Sequence, residues 1–510
     1  MSIKKTIFKD VFFYSVSTFF SQALLIIKNF LIAALLLPAA FGFWKFLQLL
    51  TEYGTASSVA LIEGSRQKIP IYNANKDMKN SNYIRDITFT FSVLTALVYS
   101  IISLLFYWLV FNPHFAAAKG FPDNFPTYLI YTNILIVFAI IYTFFWRYLS
   151  SINDFAEVSR IKAIVGLVDF VASVILVYRF KVMGLIFALI LTYCLATILI
   201  IKKERYRPSF NWDLKEAFNL IYLGLPIFSL GFAFQLLTSI DRIVIIKFLD
   251  NRQLGLYGIS LIAFNMFTLA SIPLSHVVFP RMIEEYSLCK YKISENFKKY
   301  IIIPSEIISF IIPLGIAFVY FFATLVIEKF LPLYANGVRP MIILVIAALF
   351  ISLLNIFTFA LATIRKYSAY FIFSVLSIIL NLVLSSILVK RGFGLEGIAF
   401  SSLISYGLLT TSVIYYMCGF FDKELVHRLM LIAKLYIPLC CSLIFCWLVN
   451  DFLMNLHLLN RFIRSFIGFN VFLVLYGIFI YFFGLKKRFF SDFNLIFGKN
   501  IMSIFSRYRI

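Results

Sequence analysis

Fourteen stretches of the chain are apolar for about as long as a membrane helix requires, roughly 20 residues: 11–37, 41–63, 86–111, 126–146, 161–179, 183–201, 216–248, 254–279, 300–325, 340–363, 369–389, 396–416, 429–449 and 462–483. Apolar positions run continuously within them instead of alternating, so the pattern predicts helices and excludes a β-barrel. The first and seventh stretches exceed a straight span and are expected to tilt or protrude. Pro304 and Pro313 predict kinks in the ninth. The connections are short. The longest on the less basic side, "NPHFAAAKGFPDNFP" at 112–126, is too small to hold a catalytic domain.

Composition reinforces this pattern. Of 510 residues, 62% are hydrophobic and 14% charged, against about 45–50% and 25% in a soluble domain. The net charge of +22 would suggest nucleic acid on a soluble protein. Here 31 of the 46 Lys and Arg fall in alternate connections and the two ends, ten in the opposite connections and five within helices. That asymmetry predicts cytoplasmic termini and an even helix count, with no nucleic-acid partner. The opening "MSIKKTIFKD" resembles the basic region of a signal peptide, but the following apolar run is too long and has no small-residue cleavage site, so it is read as a retained first span. The six cysteines suggest no disulfide framework, and the four histidines show no metal-ligand spacing, so no metal is expected. There is no P-loop and no catalytic set facing outward, so no enzyme activity is expected.

An offset of 213 residues aligns Gln22 with Gln235, Leu24 with Leu237, Ile27 with Ile240, Ile32 with Ile245, Leu36 with Leu249 and Gly42 with Gly255. Thr55, Ser58 and Leu61 align in the same register with Thr268, Ser271 and Leu274. Helix, breaker, a Gly-apolar-aromatic step ("GFW" and "GLY") and a second helix all coincide. The repeat is about six helices long, which predicts two pseudo-symmetric six-helix lobes, residues 1–205 and 206–416, followed by two further helices and a basic tail over 417–510. In parallel repeats of this kind the substrate site is expected near the midplane between the copies.

Charges inside the apolar runs are the candidate chemistry, because a charge at a helix centre costs about 2.5–3.5 kcal/mol on insertion scales and turns toward the interior or a watery cavity. The stretch "SIDRIVIIKFLDNRQLGLYG" at 239–258 carries Asp241, Arg242 and Lys247. Neighbours on a helix point about 100° apart, so Asp241 and Arg242 are expected to address different partners. The repeat sets Lys28 opposite Asp241. Asp169, Glu52 and Glu306 are candidates for coupling or gating. Arg suits phosphate through its planar fork, so Lys28, Arg242 and Lys247 form a candidate cationic cleft for an anionic substrate. The competing expectation is a salt bridge that locks the lobes. Glu63 and Arg147 lie near helix ends and are expected to reach the interface by snorkelling.

"IKNFLIAALLLPAAFGFWKFLQLL", "YGTASSVALIEGSRQKIP" and "SIDRIVIIKFLDNRQLGLYG" together resemble the polysaccharide-transporter branch of the multidrug/oligosaccharidyl-lipid/polysaccharide exporter (MOP) superfamily, and within it the Wzx-type O-antigen flippases. The resemblance implies a MATE-like fold in a bacterial inner membrane. It implies alternating access that moves an undecaprenyl-pyrophosphate-linked oligosaccharide from the cytoplasmic to the periplasmic leaflet. It also implies membrane lipids, a polysaccharide polymerase and a chain-length regulator as partners, no cofactor, and coupling to H+ or Na+ through acids such as Asp241 or Asp169. Flippases for lipid II, teichoic acid or capsular polysaccharide share these features. A drug or cation antiporter is disfavoured because the first helix carries Lys28 and no acid. A membrane glycan polymerase is disfavoured by the short outward loops.

Overall fold

A computed structural model describes residues 3–110, 119–203, 206–290, 292–422, 424–455 and 460–482. The basic tail, His114, His457 and residues 112–118 of the 112–126 loop lie outside the described residues. The described residues are helical and form two compact units, Met1–Ile262 and Ala263–Ile510.

The first unit contains α1 (Ile3–Leu35), α2 (Pro38–Ala56), α3 (Val59–Ala74), α4 (Met78–Val110), α5 (Phe125–Ser151), α6 (Phe155–Ile201), α7 (Leu214–Leu237), α8 (Ile240–Phe248) and the start of α9 (Asn251–Leu288). The second contains the rest of α9, α10 (Glu295–Phe330), α11 (Val338–Thr363), α12 (Tyr367–Lys390), α13 (Gly394–Cys418), α14 (Leu425–Asn455) and α15 (Arg461–Phe482). Ten described helices are long and apolar enough to cross a membrane. The protein is a multi-pass membrane protein.

That count covers the described residues alone; where the elements depart from the fourteen predicted runs, three departures have local causes. The 47-residue α6 contains two of the runs. It turns sharply at Lys181 (φ 51°, ψ −129°), and Gly184 then packs on the backbone of Leu176. The run 41–63 is split between α2 and α3 at Ser57–Ser58, whose hydroxyls donate back to the carbonyls of Gly54 and Thr55 at 2.7 and 3.2 Å. The run 216–248 is split between α7 and α8 at Thr238–Ser239, which bond Phe234 and Gln235 in the same way at 3.0 and 2.7 Å. Hydroxyls that compete for helix carbonyls are apolar enough to pass through a hydropathy window, yet they end a helix.

Several helix ends are fastened by side chains or by left-handed residues. Asp154 and Asp213 cap α6 and α7 by accepting from the N–H groups of Glu157 and Glu216. Lys76, Asn153 and Arg365 adopt positive φ just past α3, α5 and α11. The following N–H groups, of Asp77, Asp154 and Lys366, reach back to the carbonyls of Tyr72, Leu149 and Leu361, as in a Schellman motif. Facing outward, α12 exposes Ile372, Leu376, Ile379 and Val383, an apolar stripe at helical spacing that suits lipid. Inside, one core of the first unit gathers Ile84, Phe91, Phe144, Phe145 and Tyr206. A core of the second joins α10, α14 and α15 through Phe321, Cys446, Phe472 and Tyr476.

The Asp213 cap predicts a pH effect. The Tyr83 hydroxyl, and next the Glu216 N–H, donate to the Asp213 carboxylate and hold it below the usual aspartate range. A depressed folded-state pKa contributes stability above the unfolded value, and this is lost as pH falls through the folded value. Asp213→Asn is therefore expected to lower the melting temperature at pH 7, and the gap to the native protein should close on acidification below the ordinary aspartate range. A gap independent of pH would show that the charge is not what fastens α7.

Candidate functional site

Two ion pairs organise the first unit. Parallel packing of α1 on the first arm of α6 sets polar residues at matched seven-residue intervals. Ser21 Oγ donates to the Lys162 carbonyl at 3.1 Å, and seven residues on in both helices Lys28 Nζ meets Asp169 Oδ2 at 2.6 Å. Ser173 Oγ donates to the other Asp169 oxygen at 3.0 Å. Lys28 is 4% exposed, so its charge is turned inward and away from lipid.

Arg242 forms the second pair. It sits in the first turn of α8, and its guanidinium grips Glu52 of α2 with both arms, at 3.1 and 2.8 Å. The turn before it is tied to the same stretch of α2, with Tyr53 Oη and Ser239 Oγ 2.5 Å apart. Asp241 points elsewhere, as the angle between neighbouring helical residues requires. It is buried, and its two oxygens accept from the Arg242 N–H at 2.8 Å and from Tyr257 Oη at 2.9 Å.

These geometries revise three sequence expectations. The partner of Lys28 is Asp169, not Asp241; the α1–α6 packing supplies a nearer carboxylate, and Asp241 is satisfied locally. Glu63 and Arg147 do not snorkel. Glu63 is 6% exposed and pairs with Arg147 of α5, and it also accepts from Arg66 at 3.0 Å. Asp241 and Arg242 do not lie deep in a long helix, because the break at Thr238–Ser239 puts them at the start of a short one.

A cavity of about 510 Å³ opens beside these pairs. Its charged lining is Lys28, Glu52, Arg147 and Asp169, two bases and two acids. Arg242 stands behind Glu52. Lys247 lines a different cavity of about 760 Å³ between α2, α4, α5 and α8, otherwise walled by apolar and aromatic residues with Ser103. Its ammonium lies 5.3 Å from the centre of the Phe248 ring. Glu306 belongs to the second unit, where Lys434 Nζ meets it at 2.5 Å. The structure thus gathers Lys28, Asp169, Glu52 and, through Glu52, Arg242, but not Asp241, Lys247 or Glu306. Sequence reasoning missed the neutral lining of the cavity, notably Gln48, Trp146 and Tyr193. Of these, only Gln48 had a visible signal, an amide within an apolar run. Among the described residues, no group of His, Cys, Asp or Glu could hold a metal ion.

The chemistry available is that of recognition: paired charges, amides, hydroxyls and ring faces around a polar space in an apolar bundle. Three solved structures share the fold. A lipid II flippase MurJ in an inward closed conformation is 18% identical, with a TM-score of 0.67 over 92% of this chain and 98% of that one. An inward-facing multidrug resistance MATE family transporter of the MOP superfamily is 15% identical, with a TM-score of 0.63 over 81% and 95%. A mutant of a Vibrio cholerae MATE transporter is 12% identical, with a TM-score of 0.56 over 83% and 99%. No curated protein matches the chain. The family described as polysaccharide biosynthesis protein matches residues 31–332, more than half of the chain. The chain therefore belongs to the polysaccharide biosynthesis protein family, with the fold that those flippase and transporter structures share.

Proposed function

We propose that the protein is a flippase of the bacterial inner membrane, with both termini cytoplasmic. It carries an undecaprenyl-pyrophosphate-linked oligosaccharide, the unit of an O-antigen or related surface polysaccharide, from the cytoplasmic to the periplasmic leaflet by alternating access. The observation that carries this reading is the polar cavity of the first unit, held by the Lys28–Asp169 and Arg242–Glu52 pairs, in a chain of the polysaccharide biosynthesis family. Buried ionisable groups in a bilayer are expensive and normally mark a transport route. Asp169 and Glu52 line the cavity and are the acids best set to couple transport to H+ or Na+. Glu306, in the other unit, is a second gating candidate. A polysaccharide polymerase and a chain-length regulator would receive the product.

The test is export of surface polysaccharide in a strain depleted of the protein. Depletion should make a lipid-linked oligosaccharide accumulate in the cytoplasmic leaflet. Arg242→Ala should leave the protein in the membrane but reduce display at least tenfold, because Glu52 loses both of its donors. Arg242→Lys should restore only part of it, since an ammonium cannot reproduce the two-armed contact. Wild-type display by the alanine variant would remove this pair from the transport route. The fold shared with a lipid II flippase supports a second reading in which the cargo is lipid II. Accumulation of lipid II on depletion, and not of a polysaccharide unit, would select it.

A further inference from the structure

Each charged group that lines the cavity of the first unit has an opposite charge in contact, although Glu63 serves both Arg147 and Arg66. Lys28 is paired with Asp169, Glu52 with Arg242, and Arg147 with Glu63. A phosphate group entering there would have to take a base from its carboxylate. Asp169 or Glu52, abandoned in this way, would be left in a largely apolar bundle, which strongly disfavours the exchange.

Its uncharged lining fits a different ligand. Gln48 of α2, whose Oε1 accepts from Lys45 Nζ at 2.9 Å and leaves its NH2 as donor, and Gln235 of α7 present amides. Tyr142 and Trp146 on α5 and Tyr193 on α6 present aromatic rings, and the Tyr142 and Tyr193 rings stack at 5.1 Å and 15°. Trp146 is separately steadied by Arg147, 5.8 Å from its ring. The volume of about 510 Å³ falls within the roughly 300–1,000 Å³ of small-molecule sites.

We propose that this cavity takes the saccharide end of the lipid-linked substrate and leaves the pyrophosphate outside. A pyranose presents C–H faces that lie on aromatic rings. It also presents hydroxyls that donate and accept at once, which matches amides and carboxylates already held in place by their own bases. The inference rests on the reading that the cargo is a lipid-linked oligosaccharide.

The experiment uses the full chain in lipid nanodiscs with two probes. One is the oligosaccharide released from lipid and phosphate by mild acid from the lipid-linked pool that accumulates on depletion. The other is inorganic pyrophosphate. Calorimetric titration should show the saccharide binding, with no competition from a tenfold excess of pyrophosphate. Gln48→Leu on α2 and Trp146→Leu on α5 should each weaken saccharide binding at least tenfold, and having variants on two helices guards against one failing to fold. If no lipid-linked oligosaccharide accumulates on depletion, the cargo reading fails and this inference falls with it. If it accumulates, but the released saccharide does not bind, pyrophosphate displaces it, or both folded variants bind as the native protein does, this inference alone is overturned.

Discussion

Replacing Lys28 by methionine, or Asp169 by leucine, will each destabilise the protein by about 3–5 kcal/mol, whereas the two changes together will recover most of that loss. The single changes leave one charge of a buried pair without its partner, because the side chains of Lys28 and Asp169 are only 5% and 15% exposed. Among the described residues, Asp169 would retain the Ser173 hydroxyl, and Lys28 would lose the carboxylate that it meets. The double change removes both charges and fills the space with apolar groups of similar length, which is often neutral or stabilising for buried pairs. The departure from additivity is the measure of the pair. Thermal unfolding of the purified variants gives the stabilities, and polysaccharide display gives the function. The double variant is expected to regain its melting temperature but not display, because the cavity wall between α1 and α6 will have lost its polar groups. Recovery of both would reduce the pair to a fastening. Single variants as stable as the native protein would mean the two charges do not depend on each other.

The sequence revealed some of this and concealed the rest for physical reasons. The apolar runs were legible because lipid offers no hydrogen bonds, so each spanning segment must be helical and greasy along its length. That Asp241 and Arg242 would face apart followed from helical geometry, and one finds Tyr257 while the other finds Glu52. The partners themselves were not legible. Lys28 and Asp169 are 141 residues apart, and Arg242 and Glu52 190. Hydropathy carries no information about which helix faces which, and the repeat pointed Lys28 at the wrong acid. The charge balance of the cavity was hidden for the same reason. The bases of the apolar runs suggested a cationic space; that Asp169, Glu52 and Glu63 meet Lys28, Arg242 and Arg147 emerges only once α1, α2, α3, α5, α6 and α8 are packed.

The repeat aligned Gly42 with Gly255 without predicting that they meet, and the largest functional loss is expected at close backbone contacts of the kind the structure shows there. In the first unit, Gly42 rests on the backbone of Asn251 and Gly255 rests on that of Pro38; a Cβ added at either would lie 1.7 or 1.8 Å from the opposing carbonyl oxygen. Positions 38 and 42 are the repeat equivalents of 251 and 255, so the contact is reciprocal. A second reciprocal contact lies between α3 and α7, where a Cβ on Gly64 would lie 1.9 Å from the Leu220 carbonyl oxygen and one on Gly224 the same distance from that of Ala60. This four-residue spacing of small groups lets helix backbones approach in a membrane, where packing and not hydrophobicity holds helices together. Polar contacts flank it. Lys68 Nζ meets Glu216 at 2.5 Å, and Gln67 Nε2 donates to the Leu223 carbonyl at 3.0 Å. Gly64→Leu must therefore force α3 and α7 apart, since backbone atoms cannot give way as a side chain can. On the proposed function, a chain whose α3 and α7 cannot pack as they do here will lose transport. Display is expected to fall at least a hundredfold while the protein still inserts. Cysteines introduced at Lys68 and Glu216, with the six native cysteines replaced by serine, should cross-link in the otherwise native chain and fail to do so with Gly64→Leu. Gly231→Leu serves as the control, because nothing lies within 4 Å of the Cβ it would add. It should leave both display and cross-linking unchanged. Undiminished display and cross-linking in the Gly64→Leu variant would mean that the close approach of α3 and α7 has no part in transport.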